Sequence, residues 1–235
     1  MQLRSGNLQL WSGQLVNLPG ALVDLQGDVS ILWAAGTEVI VNEGTVRKSA
    51  GTGVSTIQPI FNNTGTLDAQ SGTVDLAGSH NLANGALNFG ISSLTTFGTI
   101  TLSGSAALTG TLSAKLNNGF VPSIGNAFQI LTYGSYSGSF TSTNLPPGVV
   151  WEATNTATAM TITVLQLTPT LQFHAQSNLL VLSWTTNAVG FSLQTTTNLS
   201  SPSSWVPVSG GIVIGNQIVV TNIMSGPSAF FRLKL

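Results

Sequence analysis

The chain has 235 residues, 42% of them hydrophobic and only 6% charged, with a formal net charge of −1. An average soluble protein carries roughly 25% charge, and six lysines and arginines offer no footprint for a phosphate backbone, which argues against nucleic-acid binding. The absence of cysteine removes disulfides, thiolate metal sites and cysteine nucleophiles together.

Normal apolar content and a mean hydropathy of +0.34 point to a folded β protein whose surface is covered by Thr, Ser, Asn, Gln and Gly rather than by charge. No apolar run reaches the length of about 18 residues that a membrane span needs, and the opening residues lack a secretory apolar region. No transmembrane segment is expected. Residues 1–20 already read as strand and turn, so the chain is expected to be a piece of a longer protein whose export signal lies upstream.

Residues 1–116 read as repeats. A glycine, a small residue and an apolar residue recur at Gly44-Thr45-Val46, Gly65-Thr66-Leu67, Gly72-Thr73-Val74, Gly85-Ala86-Leu87, Gly98-Thr99-Ile100 and Gly110-Thr111-Leu112. The interval is 21 residues from Gly44 to Gly65 and 20 from Gly65 to Gly85, followed by steps of 13 and 12, as stacked coils of short strands would give. Apolar residues then alternate with polar ones, as in Leu67 and Ala69, Val74 and Leu76, or Ile100 and Leu102, the period of a strand with one buried face. Thr66, Asp68, Thr73, Asp75, Thr99, Thr101, Thr111 and Ser113 would point outward and stack in rows. Corners such as Asn62-Asn63-Thr64-Gly65 and Asn84-Gly85 would supply positive φ. The predicted fold is all-β: a β-solenoid, or parallel β-helix, with a C-terminal cap and then a small antiparallel β-sandwich. An antiparallel sandwich throughout is the competing reading.

The stretch "NEGTVRKSAGTGVSTIQPIFNNTGTLDAQSGTVDLAG" resembles the repeats of large secreted bacterial β-helix proteins of the autotransporter-passenger and haemagglutinin-repeat kind, of planctomycete and verrucomicrobial type. Residues 117–166 are similar to the β-rich segment that closes such helices, with Phe120, Phe128, Ile130, Leu131, Phe140 and Trp151 at its apolar positions and Asn126 where aspartate is commoner. The resemblance implies an extracellular or cell-surface location and carries little about activity, because such repeats serve many functions.

Around Pro169 the glycine-threonine rhythm stops, so a boundary is placed near residue 167. In 167–235, Leu180, Leu182 and Trp184 share one face, as do Phe191 and Leu193. The spacing resembles the early strands of fibronectin type III domains, with "AFFRLKL" similar to a late core strand. The segment is shorter than the roughly 100 residues such sandwiches take, so a strand or two is expected to be missing or shortened.

Chemistry is sparse. His80 lies in a polar turn and His174 at a strand edge, in different predicted units, which leaves each without the converging partners of a triad or metal site. Asp24 and Asp28 have the spacing of a calcium-holding turn but lack a dense Asp/Asn/Gly loop. Asp68 and Asp75 are the candidate catalytic carboxylates, two such groups sufficing for glycosidic cleavage; Arg47, Lys48 and Lys115 are the only basic residues available to the same face. Trp205, Tyr133 and Tyr136 are the candidate sugar-binding residues, with Trp11, Trp33 and Trp151 as further rings, and Trp184 reads as core. No metal and no cofactor is expected. The expected role is a non-catalytic structural or adhesive segment; the alternatives are a carbohydrate-binding module for a polysaccharide or cell-surface glycan, and a polysaccharide hydrolase or lyase on the solenoid face.

Overall fold

The computed structural model describes residues 1–82, 84–200, 204–224 and 228–235, and among these no α-helix occurs. Four coils of three strands come first. They are β1 (Gln2–Leu3), β2 (Leu8–Trp11) and β3 (Gln14–Asn17); β4 (Leu22–Gln26), β5 (Ile31–Ala35) and β6 (Val39–Asn42); β7 (Thr45–Ala50), β8 (Val54–Ile57) and β9 (Ile60–Asn63); and β10 (Thr66–Ala69), β11 (Gly72–Leu76) and β12 (His80–Asn81). Longer coils follow: β13 (Ala86–Ile91) and β14 (Gly98–Leu108), then β15 (Thr111–Leu116) and β16 (Ala127–Gly138), then β17 (Ser142–Asn144), β18 (Val149–Asn155) and β19 (Ala159–Leu167).

Equivalent strands stack in register. β1, β4, β7, β10, β13, β15 and β17 form the first sheet; β2, β5, β8, β11, β14 and β16 form the second, which β19 and β18 extend; β3, β6, β9 and β12 form the third. Pairing is parallel from coil to coil, so the first half of the chain is a β-solenoid and not an antiparallel sandwich. β19 pairs antiparallel with β16, and this reversal ends the parallel stacking of the second sheet.

Of the repeated glycines, Gly44, Gly65, Gly85 and Gly110 sit where each coil enters the first sheet, and Gly72 and Gly98 open strands of the second. A Cβ on Gly65 would stand 2.2 Å from the Gly44 carbonyl oxygen, and one on Gly110 2.0 Å from that of Gly85, distances no side chain tolerates. Close approach of successive coils therefore demands glycine there. The expected positive φ occurs at Asn84 but not at Asn62, Asn63, Gly65 or Gly85. Asn63 is instead a buried strand residue, one of three stacked asparagines. Asn17 Nδ2 donates to Asn42 Oδ1 at 2.7 Å and Asn42 Nδ2 to Asn63 Oδ1 at 2.6 Å. Asn17 and Asn42 also donate to the carbonyls of Thr45 and Thr66, at 3.0 and 2.9 Å. Asn17 and Asn42 thus each bond the carbonyl that opens a first-sheet strand and the next coil at once, which an apolar residue cannot do.

The inward rows are apolar, with Val46, Leu67 and Leu87 in register on the first sheet and Val74 with Ile100 on the second. One position breaks the pattern. Lys48 lies between Leu25 and Ala69 on an inward row and is 0% exposed. Its Nζ donates to Gly27 O and Asp28 Oδ1, both at 2.8 Å, and to Ser55 Oγ at 3.0 Å. Three acceptors offset the cost of burying the ammonium. Lys48 is therefore unavailable to any outer face, and Asp28, instead of shaping a calcium turn, accepts from Lys48 and from the Gly53 amide at 2.9 Å.

Phe128 anchors the end of the solenoid. Phe97, Phe120 and Trp151 surround it with ring centroids 5.4, 6.2 and 6.2 Å away, and Ile130, Leu131 and Ile162 complete the same core.

Contacts divide the chain into two compact units, residues 1–147 with 151–164, and 148–150 with 165–235. The second holds β20 (Gln172–Gln176), β21 (Leu179–Thr185), β22 (Ser192–Thr196), β23 (Val206–Pro207), β24 (Ile212–Ile214), β25 (Gln217–Ile223) and β26 (Phe230–Lys234). They form one sheet in the order β20-β21-β25-β24 and another in the order β23-β22-β26, antiparallel throughout. β23 and β24 have only two and three residues. Leu182, Trp184, Leu193 and Val220 make the small core.

Candidate ligand groove

The outer row of the first sheet runs Gln2, Asp24, Arg47, Asp68, Asn88, Ser113 and Asn144 in register across seven strands. Here the lengthened coils matter. The step from Thr66 to Ala86 is 20 residues, that from Ala86 to Thr111 is 25, and that from Thr111 to Ser142 is 31. Part of the added chain lies beside the row as two walls of a groove of about 660 Å³.

The first wall is the turn after β13. Ser92 N donates to Thr96 O at 2.9 Å, and Ser93 Oγ accepts from the amides of Thr95 and Thr96 at 3.2 and 2.9 Å. The second wall is the turn after β15, where Phe120 N donates to Asn117 O at 2.9 Å and Asn118 takes φ 54°. Phe97 pins the first wall and Phe120 the second, both edge-on to Phe128, so one buried ring holds both. Gly90 is buried and leaves room for the side chains of Gln70 and Asn117: a Cβ there would meet Gln70 Oε1 at 2.5 Å, Asn117 Nδ2 at 2.7 Å and the Gln70 carbonyl oxygen at 2.8 Å.

Asp68 lies in the groove wall and is only 3% exposed. Its carboxylate accepts from Arg47 Nε at 2.6 Å, from Asn88 Nδ2 at 2.7 Å and from Gln70 Nε2. Gln70 Oε1 in turn accepts from Asn117 Nδ2 at 2.9 Å. Hydrogen bonds hold the carboxylate from three sides, a poor arrangement for a general acid that must carry and release a proton. Asp75 alternates with the buried Val74 and Leu76 and faces out from the second sheet, so the fold does not bring the two candidate carboxylates together. Lys115, opposite Gly90 in register, lines the groove and makes no hydrogen bond or ion pair among the described residues.

The aromatic candidates do not form a platform. Tyr133 is buried and donates from its hydroxyl to Asn155 Oδ1 at 3.0 Å; burial pushes that hydroxyl above its usual range, with Tyr136 adding to the effect. Tyr136 is exposed, but its ring is tilted 49° to that of Tyr133. Trp205 is half-buried beneath the Arg232 guanidinium, 4.1 Å from its ring centroid. Trp151 packs on the core and donates from Nε1 to Pro146 O at 3.1 Å. Trp11 and Trp33 are the exposed indoles, on β2 and β5, and neither lines the groove.

His80 sits beside a hollow with Ser79, Ser103 and Ser105, where Ser103 Oγ donates to the Ala77 and Gly78 carbonyls at 3.1 and 3.2 Å; among the described residues no carboxylate lines it. His174 is exposed on β20. Among the described residues no group of three His, Cys, Asp or Glu is placed to hold a metal, and no helix is long and apolar enough to cross a membrane.

Sequence reasoning missed the asparagine ladder, the buried Lys48 and the groove. The ladder had a signal: Asn42 and Asn63 each stand two residues before a repeat glycine, Gly44 and Gly65. Nothing local marks Gln70, Asn88 and Lys115 as neighbours. No protein-family model matches the chain, and no curated protein matches it.

Proposed function

We propose that this chain is a non-catalytic structural and adhesive segment of a larger exported bacterial protein, acting outside the cell or at its surface. The observation that supports it most is Asp68: the one acid lining the groove among the described residues is fixed by Arg47, Gln70 and Asn88, while Asp75 lies on another sheet. Acid and base are then not paired for glycosidic cleavage, which needs two carboxyls roughly 5–10 Å apart across one bond. Stacked coils with buried amides suit a stiff, extended element.

The groove favours a second reading on the same chain, binding of a polysaccharide or cell-surface glycan, since its walls are pinned and its lining is rich in amides and hydroxyls that pair with sugar hydroxyls. The test is to incubate the chain with a panel of plant and microbial polysaccharides and follow both retention and release of reducing ends. Retention without product supports a binding segment. Product that disappears in Asp68→Asn would make the groove an active site and overturn the non-catalytic reading.

A further inference from the structure

We infer that the groove on the first sheet selects polysaccharides bearing carboxylates, such as uronic-acid polymers, with Lys115 and the outer nitrogens of Arg47 as the anchoring groups. This rests on the carbohydrate-binding reading and adds the class of sugar.

The charges facing the groove are Arg47, Lys115 and Asp68, a surplus of one positive charge. Asp68 is occupied by three donors from its own surroundings and has little capacity left for a ligand hydroxyl. Arg47 uses only Nε on Asp68, and its side chain is 39% exposed, which leaves the two terminal NH₂ groups free. A guanidinium edge matches a planar carboxylate in two parallel hydrogen bonds. Lys115 is exposed and unpaired among the described residues and adds a point charge from β15, three strands along the first sheet from the strand that carries Arg47. The groove therefore offers cationic donors in excess and no free anionic acceptor.

A neutral sugar would need a different surface. Pyranose rings without charge are gripped by flat aromatic faces as well as by hydrogen bonds, and among the described residues no aromatic ring lines this groove. Asn88, Asn117 and Asn118 remain as neutral groups for hydroxyls beside the acid.

The experiment measures retention of the full chain on immobilised polygalacturonate, dextran sulfate and dextran at low salt and again at 300 mM NaCl, for the parent, Lys115→Gln and Lys115→Arg. Lys115 has no partner to lose, so both variants should fold as the parent does. The expected result is binding to polygalacturonate that weakens with salt, an affinity about five- to tenfold lower in Lys115→Gln, and recovery in Lys115→Arg. Equal binding to dextran would overturn the carboxylate inference while leaving carbohydrate binding standing. Preference for dextran sulfate over polygalacturonate would overturn it in favour of a sulfated glycan. An unchanged affinity in Lys115→Gln would overturn the role of this groove, and no retention on any of the three would overturn the carbohydrate reading along with it.

Discussion

The coils up to residue 82 and those after it use the same first and second sheets and differ in what holds their corners. In the early coils Asn17, Asn42 and Asn63 are bonded amide to amide, and the step from Thr45 to Thr66 to Ala86 stays at 21 and 20 residues. The third sheet ends at β12, where buried Leu82 follows Asn81, and the steps then grow to 25 and 31. An amide ladder fixes the corner because Asn17 and Asn42 must each meet both the carbonyl that opens a first-sheet strand and the next amide. An apolar contact around Phe128 asks only that the rings touch. The second kind of corner admits extra residues, and those residues build the groove.

The most drastic way to break this comparison is to cut the chain at residue 116. That removes β16, the partner of β14, with Phe128, Ile130 and Leu131 from the common core, and leaves an open parallel edge. Residues 1–116 should associate. A monomeric, soluble fragment at high concentration in sedimentation would show that the early coils need nothing from the late ones.

A smaller effect separates the two kinds of corner. Asn42→Leu orphans Asn63 Oδ1 and removes the amide's bonds with Asn17 and the Thr66 carbonyl, and should cost about 2 kcal/mol in denaturant unfolding, at about 1–3 kcal/mol per unpaired buried group. Asn88→Ala removes one of three donors to Asp68 beside open groove, where water takes its place, and should cost below about 1 kcal/mol. Equal costs would erase the distinction.

Acid should act on the early coils. The hydrogen bond from Lys48 holds the Asp28 carboxyl below its ordinary range, with attraction to the same ammonium and the Gly53 amide helping against the opposing effect of burial. A carboxyl lowered by folding contributes stability above its unfolded value near 4 and loses it as pH falls through the folded value. Thermal melts from pH 6 down to pH 3 should therefore decline, and less steeply in Asp28→Asn. Parallel declines in both would mean that Lys48 keeps its stabilisation without a charged partner.

Much of the fold is readable in residues 44–116, because each strand's alternation and each coil's glycine are local features repeated in order. The inward Leu67, Val74, Leu87, Ile100 and Leu112 follow from period alone. Lys48 does not, since its neighbours in the row, Leu25 and Ala69, are more than 20 residues away. The same holds for the groove. Asp68 looks like a free outward acid until Arg47 and Asn88, 21 and 20 residues distant, are placed beside it. A sequence shows which side chains face outward; it does not show which of them neutralise one another.

The division of labour between the two regions is tested most directly by one thermal-shift titration with polygalacturonate on the parent, Asn42→Leu and Lys115→Gln. Lys115 lines the groove and makes no hydrogen bond or ion pair among the described residues, so glutamine removes a groove charge and no internal contact. The predicted result is a double separation: Asn42→Leu melts lower yet shifts with ligand as the parent does, while Lys115→Gln melts near the parent and needs about five- to tenfold more ligand for the same shift. A Lys115→Gln protein that shifts as the parent does, or an Asn42→Leu protein that loses its shift, would contradict the assignment of stiffness to the early coils and binding to the late ones.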